Sequence, residues 1–292
     1  DYEPNYLWDP DKNACGLALT ENPQAQIMDN ASDAIQAADL VYLACPPYVR
    51  KAYALEAAAS GKALFLEKPF GVDVDDSVDL VTQLDRYAVP TAVNFTQAAG
   101  IALTDLLKAK DRGEMGSILG VDMIVTYPSW PRQWQKEADW LRFRAEGGMT
   151  REVISHFLFF SERVLGPLKV ISANTTYPED PLLCETEVLA RLESVEGCPV
   201  NILASVGGVQ PDRQEFTVKG SLKSRRISEF YKDSESSGGD FSALRPEPED
   251  PRAASLKGQL DDLSLNFNGL TNRLATIHEA LRVQKLVEQI LK

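Results

Sequence analysis

Short apolar runs separated by helical stretches fill residues 1–95, and this alternation constrains the fold more than any other feature of the chain. Tyr6-Leu7-Trp8 and Gln26-Ile27-Met28 are brief runs. Residues 39–45 (DLVYLAC) make a longer one, stopped by Pro46-Pro47. Residues 48–60 are alanine-rich and helical up to Gly61, and residues 63–66 are apolar again. Residues 75–87 carry Val78, Leu80, Val81 and Leu84 at helical spacing, and residues 90–95 close the series with another strand. Strands separated by whole helices do not pair as hairpins. They need crossovers, which are right-handed, and the product is a parallel sheet.

The pattern changes after Gly100. A helix is expected over 101–110, a long alternating strand over 116–127, and a helix over 150–165. Between them lies a tryptophan-rich segment with Trp130, Trp134 and Trp140, which either joins the core or walls a cleft. Residues 168–231 read as several strands with Pro and Gly turns and no intervening helix, hence a mainly antiparallel sheet. The polar stretch DSESSGGDFSALRPEPEDPR reads as an exposed loop. A last helix over 273–291 has a broad apolar face, and His278 on it is expected to be a partly buried packing residue. The fold class is therefore α/β. A Rossmann-type parallel domain spans 1–98, and an α+β domain with a large open, mainly antiparallel sheet spans 99–292. The last helix packs back toward the first domain.

Composition removes several functions. The formal net charge of -13 disfavours nucleic acid and anionic membranes as partners. The four cysteines have spacings that fit no metal motif, so no metal is expected. They form no disulfide framework, which makes a reducing cytoplasm the expected setting. No apolar stretch approaches the roughly 18 residues a membrane span needs.

The chemistry is carried by LEKPF at residues 66–70. A lysine at the C-terminal end of a parallel strand stands where open α/β sheets bind ligands. From there Lys68 can reach a cofactor ribose and a substrate hydroxyl. Pro69 follows it, and an X-Pro bond is the one kind that adopts cis readily. A second stretch, EGGMTREVISHF, sets Glu152 and His156 four residues apart on one helix, a spacing suited to general acid–base work.

Together with YLWDPD near the start and RLATIHEALRVQKLVEQI at the end, these stretches resemble the glucose-fructose oxidoreductase / inositol dehydrogenase / rhizopine catabolism family, the Gfo/Idh/MocA oxidoreductases. The resemblance implies that Lys68 bridges cofactor and substrate and that His156 is the catalytic proton-transfer residue. It places Asp9, Cys45, Pro46, Pro47, Glu67, Lys68, Pro69 and Asn94 beside an NAD or NADP cofactor. The carboxylate of Asp9 favours NAD, because it accepts ribose hydroxyls and repels a 2'-phosphate. The family has Asp where this chain has Glu152, which moves the carboxylate by about 1.5 Å. Gln97, Trp134 and Arg142 are candidate substrate contacts. The implied reaction is hydride transfer between nicotinamide and a hydroxyl or carbonyl carbon of a sugar, cyclitol or related polyol. A dinucleotide-binding regulator or scaffold, and an NAD-dependent glycosidase working by oxidation and elimination, are the alternatives. Homodimers or homotetramers through the open sheet are implied as well.

No Gly-x-Gly-x-x-Gly turn occurs in the sequence, and the first residues, Asp-Tyr-Glu-Pro, carry no initiating Met. Losing a central strand would expose sheet edges on both sides. The expectation is therefore an incomplete chain that lacks the first strand and glycine loop of its parallel domain.

Overall fold

A computed structural model describes residues 2–135, 137–247 and 249–292. The chain opens with β1 (Tyr6–Leu7), α1 (Lys12–Glu21), β2 (Gln26–Ile27), α2 (Ala31–Ala37), β3 (Leu40–Leu43), α3 (Pro47–Ala59), β4 (Ala63–Glu67), α4 (Val74–Tyr87) and β5 (Thr91–Asn94). All pairings here are parallel, as the intervening helices require. They form two separate pieces, β1-β2 and β3-β4-β5. β4 lies between its neighbours and is buried almost throughout, which explains its unbroken Ala63-Leu64-Phe65-Leu66 run.

After α5 (Ile101–Asp111) come β6 (Ile118–Tyr127), a π-helical turn (Thr150–Ile154), α6 (Ser155–Leu165), β7 (Leu168–Thr176), β8 (Glu187–Ser194), β9 (Pro199–Val206), β10 (Arg213–Gly220), β11 (Ser224–Ser228), β12 (Lys232–Ser236) and β13 (Ser242–Ala243). They build one eight-stranded sheet in the order β13-β12-β11-β10-β6-β9-β8-β7. It is antiparallel except for β6 beside β9. Its strands alternate, so one face is buried under α6 and the other is open. Phe157 and Phe160 of α6 pack on Phe216 of β10. A single apolar core continues from there to β4 and β5.

Two elements differ from the sequence reading. The polar stretch after residue 232 is not all loop: β12 and β13 extend the sheet at its edge. Asp233 is buried there between Arg225 and Arg245, so ion pairing stands in for apolar residues. The second is α7 (Pro251–Phe267), a helix the sequence does not advertise. It buries only Gln259, Asp262 and Leu263, too few apolar positions to make a helical period. Its cap was legible: Asp250 accepts from the Arg252 and Ala253 amides, with Pro251 at the first helical position.

The last helix, α8 (Ile277–Ile290), starts at a capping box of Thr276 and Glu279. Its end carbonyls at Ile290 and Leu291 accept from Thr175 and Tyr177 at 2.7 Å each. It packs against α4 and β5 on one side and α6 and β7 on the other. His278 is not a packing residue. It faces outward, 55% exposed at the side chain, with Nε2 3.1 Å from Asp85 of α4. No helix among the described residues is long and apolar enough to cross a membrane.

Candidate active site

The C-terminal ends of β3, β4 and β5 lie side by side, with Leu43 in register with Leu66 and Glu67 with Asn94. Glu67 Oε1 takes the Asn94 amide at 2.6 Å and the Tyr42 hydroxyl. Burial pushes the Tyr42 hydroxyl well above its ordinary range, and the Glu67 carboxylate adds to that. The Asn94 Oδ1 is buried and has no partner among the described residues.

Arg50 holds this edge, and the sequence reading missed it. Its guanidinium is buried and, among the described residues, donates to main-chain carbonyls: Cys45 and Glu67 at 2.6 Å each, Pro69, and Phe70 at 3.5 Å. Burial pulls its pKa down. The signal was present, because Arg50, Ala54, Ala57 and Ala58 make one helical stripe in an otherwise apolar face. The Lys68–Pro69 bond is cis. Cys45 is half-buried, its thiol pKa raised by burial, while Pro46 caps α3 and Pro47 opens it. Asp9 closes a turn by accepting the Asp11 amide at 2.8 Å, and Asp11 is the residue that caps α1.

Lys68 reaches across to the π-helical turn. Its ammonium pairs with the Glu152 carboxylate and lies 3.0 Å from the Glu152 carbonyl oxygen. The other carboxylate oxygen of Glu152 accepts from Gln135 at 3.1 Å. Gln135, buried in the loop after β6, in turn accepts from Arg132 Nε at 2.9 Å. Lys68, Glu152, Gln135 and Arg132 thus form one bonded row.

His156 lies one helical turn beyond Glu152 but does not bond to it. Its ring is buried edge-on against Phe95 at 5.6 Å and Phe230 at 5.8 Å, and Nδ1 has no partner among the described residues. Burial, with the charges of Lys68 and Arg132 nearby, holds the imidazole well below its usual range, so it is neutral. Glu152 and His156, four residues apart, are thus not bonded to each other; Glu152 bonds Lys68 and Gln135. A π-turn at this point is a common mark of a functional segment.

The turn is fixed from behind. Gly147 and Gly148 admit no side chain, since a Cβ would land on the Leu141 carbonyl and the Glu185 carboxylate respectively. Glu185 accepts the Thr150 amide at 2.7 Å, and burial raises its pKa. Arg151 forks onto Glu288 of α8 at 2.7 and 2.8 Å.

The candidate substrate residues separate. Trp134 stands 57% exposed near the row, with Arg132 and Arg252 over its ring. Trp130 is half-buried and donates to the Leu141 carbonyl at 2.9 Å, so the tryptophans form no single cluster. Gln97 is buried and its amide donates to the Phe230 carbonyl at 2.6 Å, which ties β5 to the hairpin behind His156 rather than opening to a cleft. Arg142 lies on the surface, paired with Asp139 and stacked on Phe143, and touches none of the other candidates. Two concavities lie elsewhere. One, between Pro69 and Gln284, sits behind the row, and the other, of about 450 Å³, adjoins Thr91 and Thr276 at the opposite end of β5. Neither includes Lys68, Glu152 or His156.

Residues 1–95 match the model of the oxidoreductase family with an NAD-binding Rossmann fold. A D-xylose dehydrogenase of Paenarthrobacter nicotinovorans is 26% identical over 143 residues, 47% of this chain. That stretch spans 36% of the relative's own length. Among solved structures, an oxidoreductase from Thermotoga maritima superimposes with a TM-score of 0.83 at 16% identity, covering 99% of this chain and 87% of that one. An oxidoreductase from Agrobacterium radiobacter, in complex with NAD+, L-tartaric acid and magnesium, gives 0.81 at 14% identity, covering 97% and 86%. These likenesses extend the fold to the whole chain. Its parallel domain is thus similar to the NAD-binding domain of the Gfo/Idh/MocA oxidoreductases.

Proposed function

We propose that the protein is an oxidoreductase that moves a hydride between NAD or NADP and a hydroxyl-bearing carbon of a sugar, cyclitol or related polyol. The observation that carries this is the Lys68–Glu152 ion pair, which joins the ligand-binding edge of the parallel sheet to the helix bearing His156. The family's NAD-binding description, the D-xylose dehydrogenase relative and the NAD+ in the Agrobacterium structure support it.

The residues fit the nicotinamide–ribose end of a dinucleotide. Glu67, Lys68 and Asn94 share one strand edge, and the buried Asn94 Oδ1 and His156 Nδ1 have no partner among the described residues. The nicotinamide supplies the two-electron acceptor or donor. The chain's own residues manage the proton and the orientation. In the alcohol-to-carbonyl direction a substrate hydroxyl entering beside Lys68 is polarised by the ammonium, which stabilises the developing alkoxide. The neutral His156 takes the hydroxyl proton, since an uncharged imidazole is the competent base. Glu152, held by Lys68 and Gln135, orients substrate hydroxyls from the other side.

We further assign residues 1–98 to a cofactor domain and 99–292 to a substrate and oligomerisation domain. The oligomer is a homodimer or homotetramer through the open face of the eight-stranded sheet. A cytoplasmic location fits the four free cysteines. The test is NAD(P)H-coupled turnover over a panel of sugars and polyols with the full-length protein. Lys68→Ala and His156→Ala should each abolish most of it, and unchanged turnover in both removes the proposal.

A further inference from the structure

We infer that Arg132 and Arg252, gathered on Trp134 at the rim of the site, form a subsite for an anion, so that the polyol handled here carries a carboxylate or phosphate group. This deepens the oxidoreductase proposal and relies on it only for the identity of the rest of the ligand.

Both guanidinium groups lie over the exposed Trp134 ring, Arg132 at 4.6 Å and Arg252 at 4.5 Å from its centroid. They come from distant parts of the chain. Arg132 is in the loop after β6, and Arg252 is in the first turn of α7. Each is anchored to the site independently. Arg132 also lies over Tyr127 and Trp130 and directs its Nε to Gln135, the residue that holds Glu152. α7 is moored by Ser255, which donates to the Thr96 carbonyl at 3.0 Å, two residues past Asn94 at the end of β5. Burial raises the pKa of Tyr231, which follows the Phe230 that edges on His156, and the Arg252 charge opposes that rise.

Neither guanidinium has a carboxylate partner among the described residues. Arg142, Arg151, Arg163, Arg213 and Arg273 all do. With a net charge of -13, acidic side chains are plentiful, and the long-range field repels an approaching anion. Recognition of an anion therefore has to be local. Guanidinium forks held in place by an aromatic face are the side-chain chemistry that does this, since they match carboxylate and phosphate oxygens in pairs. An anion held there would extend the rest of the ligand along the bonded row toward Glu152 and Lys68.

The test is calorimetric titration of the full-length protein, with NADH present, using D-glucose, D-glucuronate and D-glucose 6-phosphate. At least one of the two acids should bind about tenfold or more tightly than glucose. Which acid wins tells carboxylate from phosphate. Arg252→Gln, at an exposed position in the first turn of α7, should erase the advantage of the acid, and Arg252→Lys should keep part of it. Equal binding of all three sugars, no binding of either acid, or an unchanged preference in Arg252→Gln overturns the subsite and leaves Arg132 and Arg252 as packing for α7. Coupled NADH formation separates this from the broader proposal. Selective acid binding without turnover of any polyol removes the hydride transfer and keeps the subsite. Turnover of neutral polyols with the same kcat/KM as their acids removes the subsite and keeps the hydride transfer.

Discussion

Lys68 meets Glu152 twice: its ammonium pairs with the carboxylate and also contacts the main-chain carbonyl of the same residue. One contact sets charge against charge, and the other fixes where the π-helical turn sits relative to β4. On the proposed function, a substrate hydroxyl approaching Lys68 would meet a donor whose position is already set.

Lys68→Met should lower kcat by about a hundredfold to ten-thousandfold while leaving the far-ultraviolet spectrum unchanged. Steady-state kinetics over the polyol panel checks this. A loss confined to KM would mean that Lys68 binds the substrate equally in ground and transition states.

His156 makes a prediction about stability against pH. Burial and the nearby Lys68 and Arg132 charges depress its pKa in the folded state, well below the ordinary value of 6.5. Above pH 6.5 it is neutral in both folded and unfolded chains and adds no slope. As pH falls below that value, the unfolded chain takes up a proton that the folded chain refuses, so stability is lost on acidification. The slope from this group reaches about 1.4 kcal/mol per pH unit at most. Urea unfolding of His156→Leu across this window should show a shallower acid limb than the unaltered protein. Parallel curves would mean that His156 is not buried as a neutral ring.

Much of this arrangement was legible in the sequence, and the illegible parts share a cause. The apolar run before Lys68 placed that residue at a strand end, because a strand buried on both faces must be apolar along its length. The Gly147-Gly148 pair marked a turn that admits no side chain. What could not be read was who pairs with whom. Glu152 and His156 looked like partners by helical spacing, but the lysine that takes Glu152 comes from 84 positions away. Gln135 and Arg50 escaped notice for a similar reason. Each is a polar residue whose bonds run to distant main chain or side chains, and neither residue type nor local period reports such bonds. α7 was missed because it is held by ion pairs and caps, among them Asp262 with Arg273, rather than by an apolar stripe.

The fork between Arg151 and Glu288 carries a clear energetic expectation. Both side chains are largely buried, and Arg151 also donates to the carbonyls of Arg144 and Gly147. Glu288→Ala leaves the guanidinium buried without its counter-charge and should cost about 3–5 kcal/mol of stability. Replacing both with Met should cost less, because no charge is then stranded. Urea denaturation of the two variants decides. Equal losses would show that packing, and not charge, makes this contact.

The open face of the large sheet carries the last prediction. Leu189 of β8 stands opposite Leu203 of β9, and Leu203 opposite Ile124 of β6, so three aliphatic side chains cross three adjacent strands on the uncovered side. Leu189 and Leu203 are 57% and 46% exposed. An aliphatic stripe on an otherwise polar sheet face is the kind of surface a second copy covers in a two-fold pair, since each copy offers the same patch. Leu203→Glu puts a carboxylate at the middle of the stripe, and two copies facing each other would then each have to bury a charge. Light scattering after size-exclusion chromatography should find an oligomer for the unaltered protein and a monomer for Leu203→Glu, with the same unfolding midpoint per chain extrapolated to low concentration. A monomer in both cases removes the sheet from consideration as an interface. An oligomer in both cases moves the contact to another surface.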